Sequence, residues 1–227
     1  MTRRDDMNWE IIGNMLAAES SGKDPKLFSS RKTLFGIPSA LDQELANAAD
    51  LPTSATEMAA TQGAHKVEHP LDPVFDEHSR VLVLGTMPSP KSRETGFYYN
   101  HPQNRFWRVM ARLFGEAVPT TNDQKRDLVL RHGIALWDVL ASCVIEGAKD
   151  ASIAECVPND IGYLLARAPI KAVFCTGAKA AELYAKHCER DTGIPAVKLP
   201  STSPANAAFS LEDLVSAYHA LLPYCIR

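Results

Sequence analysis

Two hydrophobic patterns alternate along the last two thirds of this chain. Short apolar runs at 81–84 and 134–137 have the length of buried strands, and the mixed segments 171–175 and 196–199, containing Lys171 and Lys198, read as a third and a fourth strand. Between them the apolar residues recur at helical spacing: Phe106, Trp107, Val109, Met110, Leu113 and Phe114 form one face. The segment 121–132 places Asp123 early and Arg131 and His132 late, the order that suits a helix dipole, and Gly133 ends it. Helices are also predicted at 158–168 and 178–188. Ser210-x-x-Asp213 before Leu214 has the form of a capping box, opening a last helix through Leu222. Strands alternating with helices at this spacing require crossover connections and a parallel sheet covered on both faces. The predicted fold is therefore a three-layer α/β/α sandwich.

Residues 1–65 read differently. Trp9, Ile12, Met15 and Leu16 lie on one face of a short amphipathic helix at 8–19, and a second is predicted at 41–50. The remainder is polar and turn-rich, too poor in apolar residues for a core. This divides the chain into an N-terminal extension at 1–65, mobile or partly helical, and a folded domain at 66–227 entered through the extended, proline-marked segment 69–80.

Composition changes the picture little. The chain is 45% hydrophobic and 22% charged over 227 residues, ordinary for a globular protein, and holds neither a membrane-length apolar run nor a signal-peptide core at its start. The expectation is an intracellular, cytoplasmic monomer. Five cysteines without a C-x-x-C pair argue against a disulfide framework and against zinc or iron–sulfur ligation. No G-x-G-x-x-G or P-loop is present, so no metal and no cofactor are expected. Charge is more informative locally than globally. The net charge is −3, yet residues 1–80 carry 8 Lys/Arg against 13 Asp/Glu while residues 81–227 carry 16 against 14. Between Lys91 and Arg112 five basic residues stand against the single acid Glu94, a patch of the kind that contacts phosphate.

Three strands end in short polar segments: Gly85-Thr86-Met87-Pro88-Ser89, Cys175-Thr176-Gly177 and Pro200-Ser201-Thr202-Ser203-Pro204. In a parallel sheet these ends share one edge, where such folds bind ligands. The first loop continues into Phe97, Tyr98, Tyr99, His101 and Asn104, a density of aromatic and amide groups suited to a flat polar ring. Asp138, at the end of the second strand, either faces the same cleft or caps the next segment.

GTMPSPKS followed by FYYNHPQNRFW resembles the first motif of the hypoxanthine-DNA (deoxyinosine) glycosylases, a branch of the uracil-DNA glycosylase superfamily. Matching blocks follow in the family's order at HGIALWDVLASC (132–143), VPNDI (157–161), VFCTGAKA (173–180) and LPSTSPANA (199–207), so the resemblance spans about residues 70–222. It implies a four-stranded central sheet in a catalytic domain at 66–227. It also implies a monofunctional glycosylase that flips a deaminated base, hypoxanthine foremost, from DNA and hydrolyses its N-glycosidic bond.

The best-known superfamily members place Asp or Asn where this chain has Met87. In the hypoxanthine branch the catalytic role goes to the Asn of HP-x-N, here Asn104. An amide is no general base near neutral pH, so the implied role is to hold the attacking water and point the carbonyl dipole at the developing sugar cation. An Asn before a helix is also a favoured cap. Gly85, Thr86, Met87, Phe97, Tyr98, Tyr99 and Thr176 are the candidate base pocket; Thr176 stands where relatives often have Asn. Ser89, Lys91, Ser92, His101, Lys179, Ser201, Thr202 and Ser203 are the candidate DNA-phosphate contacts. No Schiff-base lysine is expected in the pocket. A uracil- or mismatch-directed glycosylase and an inactive module that binds damaged DNA are the alternatives left open.

Overall fold

The computed structural model describes residues 63–147 and 149–226. The helices expected at 8–19 and 41–50 lie outside the described residues. The elements are β1 (His65–Glu68), β2 (Val81–Gly85), α1 (Pro90–Thr95), α2 (Phe106–Phe114), α3 (Asn122–Arg131), β3 (Ile134–Asp138), β4 (Leu140–Ile145), β5 (Ala154–Pro158), α4 (Ile161–Leu165), β6 (Ala172–Thr176), α5 (Ala178–His187), α6 (Glu189–Thr192), β7 (Ala196–Leu199) and α7 (Leu211–Tyr218).

The four predicted strands form one parallel sheet in the order β3-β2-β6-β7. The central strand β2 pairs on both sides, Leu84 lying opposite Trp137 of β3 and Cys175 of β6. Every residue of β2, β3 and β6 is buried, as continuous apolar runs require when helices cover both faces. The helix α3 packs on β3, α5 on β6 and β7, and α2 on α7. The outer edge of β3 is not left open: Val74, in the entry segment, exchanges both backbone hydrogen bonds with Leu136 at 2.9 and 2.8 Å. That pairing removes an exposed edge that would otherwise recruit other strands.

A second sheet of three antiparallel strands, in the order β1-β4-β5, was not expected. Its β4–β5 pairing shifts register twice, and Glu155 within β5 has φ 48°, so no regular period-two pattern marks it in the sequence. The helix predicted at 158–168 is correspondingly shorter. Pro158 closes β5, the Asn159 side chain donates to the carbonyls of Asp138 and Leu140 at 2.9 and 3.1 Å, and Asp160 then caps α4. Helix α1 was also not anticipated, although its signals are present: Ser89 as N-cap, Pro90 at the first helical position and Gly96 in the left-handed conformation at the end.

Candidate active site

The parallel strands bring Gly85, Asp138, Thr176 and Leu199 to one edge of the sheet. Above them opens a cleft of about 700 Å³, in the size range of small-ligand sites. The loop 85–89, Tyr99, Asn104, Thr176 and Ser201–Ser203 line it, and the turn after β4, with Lys149 and Asp150, forms a further wall.

Hydrogen-bond direction on the floor follows from chemistry. The Leu84 carbonyl can only accept, so the Thr176 hydroxyl proton is committed to it at 3.2 Å. The Thr176 oxygen, 3.3 Å from the Tyr99 hydroxyl, therefore accepts from Tyr99. This leaves Tyr99 with only acceptor capacity toward the cleft. Its ring is stacked on Phe106 with centroids 3.9 Å apart, and burial, followed by the nearby Asp138 charge, raises its phenol well above the ordinary range. Tyr99 sits at φ 54°, a left-handed conformation that costs a side-chain-bearing residue about 1–3 kcal/mol and tends to be kept at binding sites.

Gly85 is required for a different reason. A Cβ there would lie 2.2 Å from Asp138 Oδ1 and 3.5 Å from the Tyr99 hydroxyl. Asp138 is 3% exposed, and its Oδ2 lies 2.9 Å from His69 Nε2. His69 Nδ1 accepts from the Leu71 N–H at 3.2 Å, which fixes the tautomer: Nε2 carries the proton and donates to Asp138.

Asn104 stands at the entry to α2. Its Oδ1 accepts from the Phe106 N–H and from the Thr202 hydroxyl, both at 2.9 Å. Because a backbone N–H only donates, the amide orientation is settled, and both carbonyl lone pairs are committed. The expected alignment, with the carbonyl dipole pointing at a sugar cation, is therefore corrected: the group Asn104 leaves free is the Nδ2 amine, a donor. Asn104 thus satisfies the first N–H of α2 and lines the cleft at once.

The 200–209 loop is fastened by Arg105. Its backbone N–H and Nε donate to the Thr202 carbonyl, its Nη2 donates to Ser203 and Asn206 at 3.0 and 2.7 Å, and its Nη1 donates to Phe209. One guanidinium thus satisfies carbonyls that an isolated loop would leave to water. Ser201 Oγ accepts from the Ser203 N–H at 3.2 Å, tightening the same turn.

Several predicted site residues are placed elsewhere or otherwise occupied. Phe97 is 3% exposed, packs 5.9 Å from Trp107, and is not part of the cleft lining. Tyr98 reaches the cleft edge, but its hydroxyl donates toward the carbonyls of Leu71 and Asp72, so it pins the entry segment. Ser92 and Thr202 are buried; Ser92 Oγ accepts from the Asn100 N–H and Thr202 holds Asn104, which removes both from direct phosphate contact. His101 Nδ1 accepts from Gln103 N–H, and Lys91 and Lys179 pair with Glu94 and Glu182 at 2.8 and 3.1 Å; none of the three lines the cleft. Gly85, Thr86, Met87, Ser89, Thr176, Ser201 and Ser203 do line it.

Sequence reasoning missed the Arg105 clamp and the wall after β4. Lys149 corrects the expectation of a lysine-free pocket, although its exposed ammonium is paired with Glu146 at 2.7 Å. Asp150 is exposed as a residue, yet its carboxyl is crowded by protein and lies 3.5 Å from Thr86 Oγ1; burial raises its pKa. Neither residue falls in a recognisable motif, because the irregular β4–β5 connection carries both. Among the described residues no group of three His, Cys, Asp or Glu is arranged to hold a metal, and no helix is long and apolar enough to cross a membrane.

Comparison with known proteins gives a consistent picture. Residues 73–222 match the family described as the Uracil DNA glycosylase superfamily. A protein named hypoxanthine DNA glycosylase from Methanosarcina acetivorans is 34% identical over 138 residues, covering 60% of this chain and 87% of its own. One of the same name from Methanosarcina barkeri is 37% identical over 112 residues, covering 48% and 71%. A solution NMR structure from Methanosarcina acetivorans, provisionally assigned as a uracil DNA glycosylase, superposes with a TM-score of 0.59 at 30% identity, covering 69% of this chain and 99% of that one. With its parallel sheet, its cleft at the strand ends and a family match over most of the folded domain, the chain belongs to the uracil DNA glycosylase superfamily.

Proposed function

We propose that this protein is a monofunctional DNA glycosylase that excises hypoxanthine from DNA by hydrolysing its N-glycosidic bond, acting as a monomer. The observation that carries the proposal is the convergence of Asn104, Tyr99 and the Ser201–Ser203 backbone on one cleft at the C-terminal edge of the parallel sheet. The names of the Methanosarcina relatives support the same substrate.

The chemistry follows from what each group has free. The flipped base stacks on Tyr99, which Phe106 backs; such stacking is worth about 1–3 kcal/mol. The backbone N–H groups of Thr86, Met87 and Ser89 and of Ser201 and Thr202 hold the flanking phosphates, in the manner of helix-start and turn donors. Lys91 and Lys179 exchange their exposed carboxylate partners for phosphate at small cost, since such pairs contribute only about 0.2–1 kcal/mol. As the C1′–N bond breaks, its electrons pass to the base. Asn104 donates from Nδ2 to the departing base, the negative side of the separating pair. The sugar cation is left to the Asp150 carboxylate. Asp150, on the cleft wall, accepts the proton that the water releases as its oxygen bonds C1′.

The test is release of free base from oligonucleotides carrying hypoxanthine or uracil, with borohydride trapping to detect a Lys149 Schiff base. Hypoxanthine release without a trapped adduct supports the proposal. Uracil release alone assigns the other enzyme activity, and tight binding of hypoxanthine DNA without release assigns a binding module.

A further inference from the structure

The glycosylase reading leaves open how the cleft separates a deaminated base from the ordinary one, and the floor carries an unassigned group. Asp138 uses one carboxylate oxygen for His69; among the described residues nothing donates to the other, Oδ1. The residue is 97% buried, but Oδ1 is not sealed off, since it is absent from the buried atoms without partners and the side chain lines the cleft. Gly85 keeps the space in front of it clear, and Tyr99 Oη, spent as a donor on Thr176, faces the same space with acceptor capacity only. The floor is therefore an acceptor pair, one of them a carboxylate oxygen, waiting for a donor.

Deamination supplies that donor. Adenine presents a bare lone pair at N1; hypoxanthine carries N1–H there beside a carbonyl. We infer that Asp138 is a specificity-determining residue whose Oδ1 accepts a hydrogen bond from the ring N–H that deamination creates. The inference rests on the glycosylase reading and deepens it. The depth of Asp138 favours this role over water activation, because the floor is reached by the inserted base while the sugar and its phosphates stay at the mouth. His69 serves as the positioning residue: with Nδ1 tied to Leu71 N–H and Nε2–H on Oδ2, it holds the carboxylate with Oδ1 outward. Adenine meets lone pair against lone pair. Guanine carries the same N1–H, so Asp138 separates hypoxanthine from adenine and not from guanine.

Asp138→Asn gives a direct test. His69 Nε2–H still demands an oxygen, so the variant turns its amine to the cleft and the floor becomes a donor. Single-turnover excision is measured for hypoxanthine and for unsubstituted purine, which has the N1 lone pair, with wild type and variant; comparing the two preference ratios cancels differences in leaving ability. The hypoxanthine-over-purine ratio should fall on the order of 100-fold in Asp138→Asn, as expected when a buried group built to hydrogen-bond a substrate loses its match. A ratio unchanged within about 3-fold, whatever the absolute rates, overturns the inference. Wild type alone gives a second readout that does not depend on the variant folding: N1-methylhypoxanthine, lacking the N–H, should be excised on the order of 100-fold more slowly than hypoxanthine. Equal wild-type rates overturn the inference and leave the glycosylase reading standing, whereas folded wild type that releases no hypoxanthine overturns both.

Discussion

The two sheets of this protein do different work with different sequence grammar. Three of the four strands of the parallel sheet, β2, β3 and β6, are buried from end to end while the edge strand β7 is half exposed, and the sheet's C-terminal edge fixes Gly85, Asp138 and Thr176 as the cleft floor. The antiparallel sheet is half exposed, bulged and strained at Glu155, and the turn joining β4 to β5 supplies a wall with Lys149 and Asp150. A rigid floor suits a group that must read a base edge to within a hydrogen bond, while a looser wall suits groups that meet a substrate only after it enters.

The largest expected effect is on the floor. Gly85→Ala drives a Cβ into Asp138 Oδ1 and should abolish detectable excision while lowering the melting temperature, by overpacking worth about 1–3 kcal/mol. Leu84→Ala, one residue earlier in β2, should cost about 2–5 kcal/mol in chemical denaturation, whereas Val157→Ala on the exposed β5 should change stability by less than about 0.5 kcal/mol. Comparable losses at the two positions would erase the distinction between the sheets. Arg105→Ala frees the carbonyls of Thr202, Ser203, Asn206 and Phe209 together. It should raise the KM for hypoxanthine DNA by about 10-fold and expose the 200–209 loop to proteolysis, since a misplaced loop loses pre-organisation before it loses chemistry.

The smallest effect concerns the wall. Burial raises the Asp150 carboxyl above its ordinary value, so the base form that accepts a proton appears only as pH climbs past the usual carboxylate range. The excision rate should rise with pH through that window, and the limb should vanish in Asp150→Asn. The stability effect has the opposite sense: a raised carboxyl favours the protonated folded form, so stability falls as pH rises through the same window, and the variant should not show this.

The legibility of the sequence divides along the same line. Short apolar runs bounded by turn residues and spaced between helical patterns read as strands of a covered parallel sheet, so β2, β3 and β6 and the α/β architecture were readable, as was the convergence of three strand-end loops; β7, interrupted by Lys198 and half exposed, was readable from its place in the alternation. Proximity was readable but commitment was not. Ser92, Thr202 and Tyr98 stand beside the cleft in the chain, yet each spends its polar atoms internally. Asn104 lies in the cleft, but the direction of its amide depends on Phe106 N–H and Thr202, the latter nearly a hundred residues away in the chain. Asp138 was weighed as a cap because nothing in its neighbourhood announces that His69, from a proline-rich entry segment, turns one carboxylate oxygen outward. The antiparallel sheet stayed hidden because two register shifts destroy the alternation by which such strands are recognised.

The central claim is that Asn104 acts in the cleft as a donor through Nδ2. The most direct measurement is single-turnover excision of hypoxanthine by wild type, Asn104→Ala and Asn104→Asp, with melting temperatures taken alongside. In the aspartate variant one carboxylate oxygen still accepts from Phe106 N–H and Thr202, while the other presents an acceptor where the amine was. A loss of at least about 100-fold is expected in both variants, with the aspartate variant keeping the bond to Phe106 N–H and hence the wild-type melting temperature. An aspartate variant that retains wild-type excision would show that an acceptor serves as well as a donor, contradicting the assigned role.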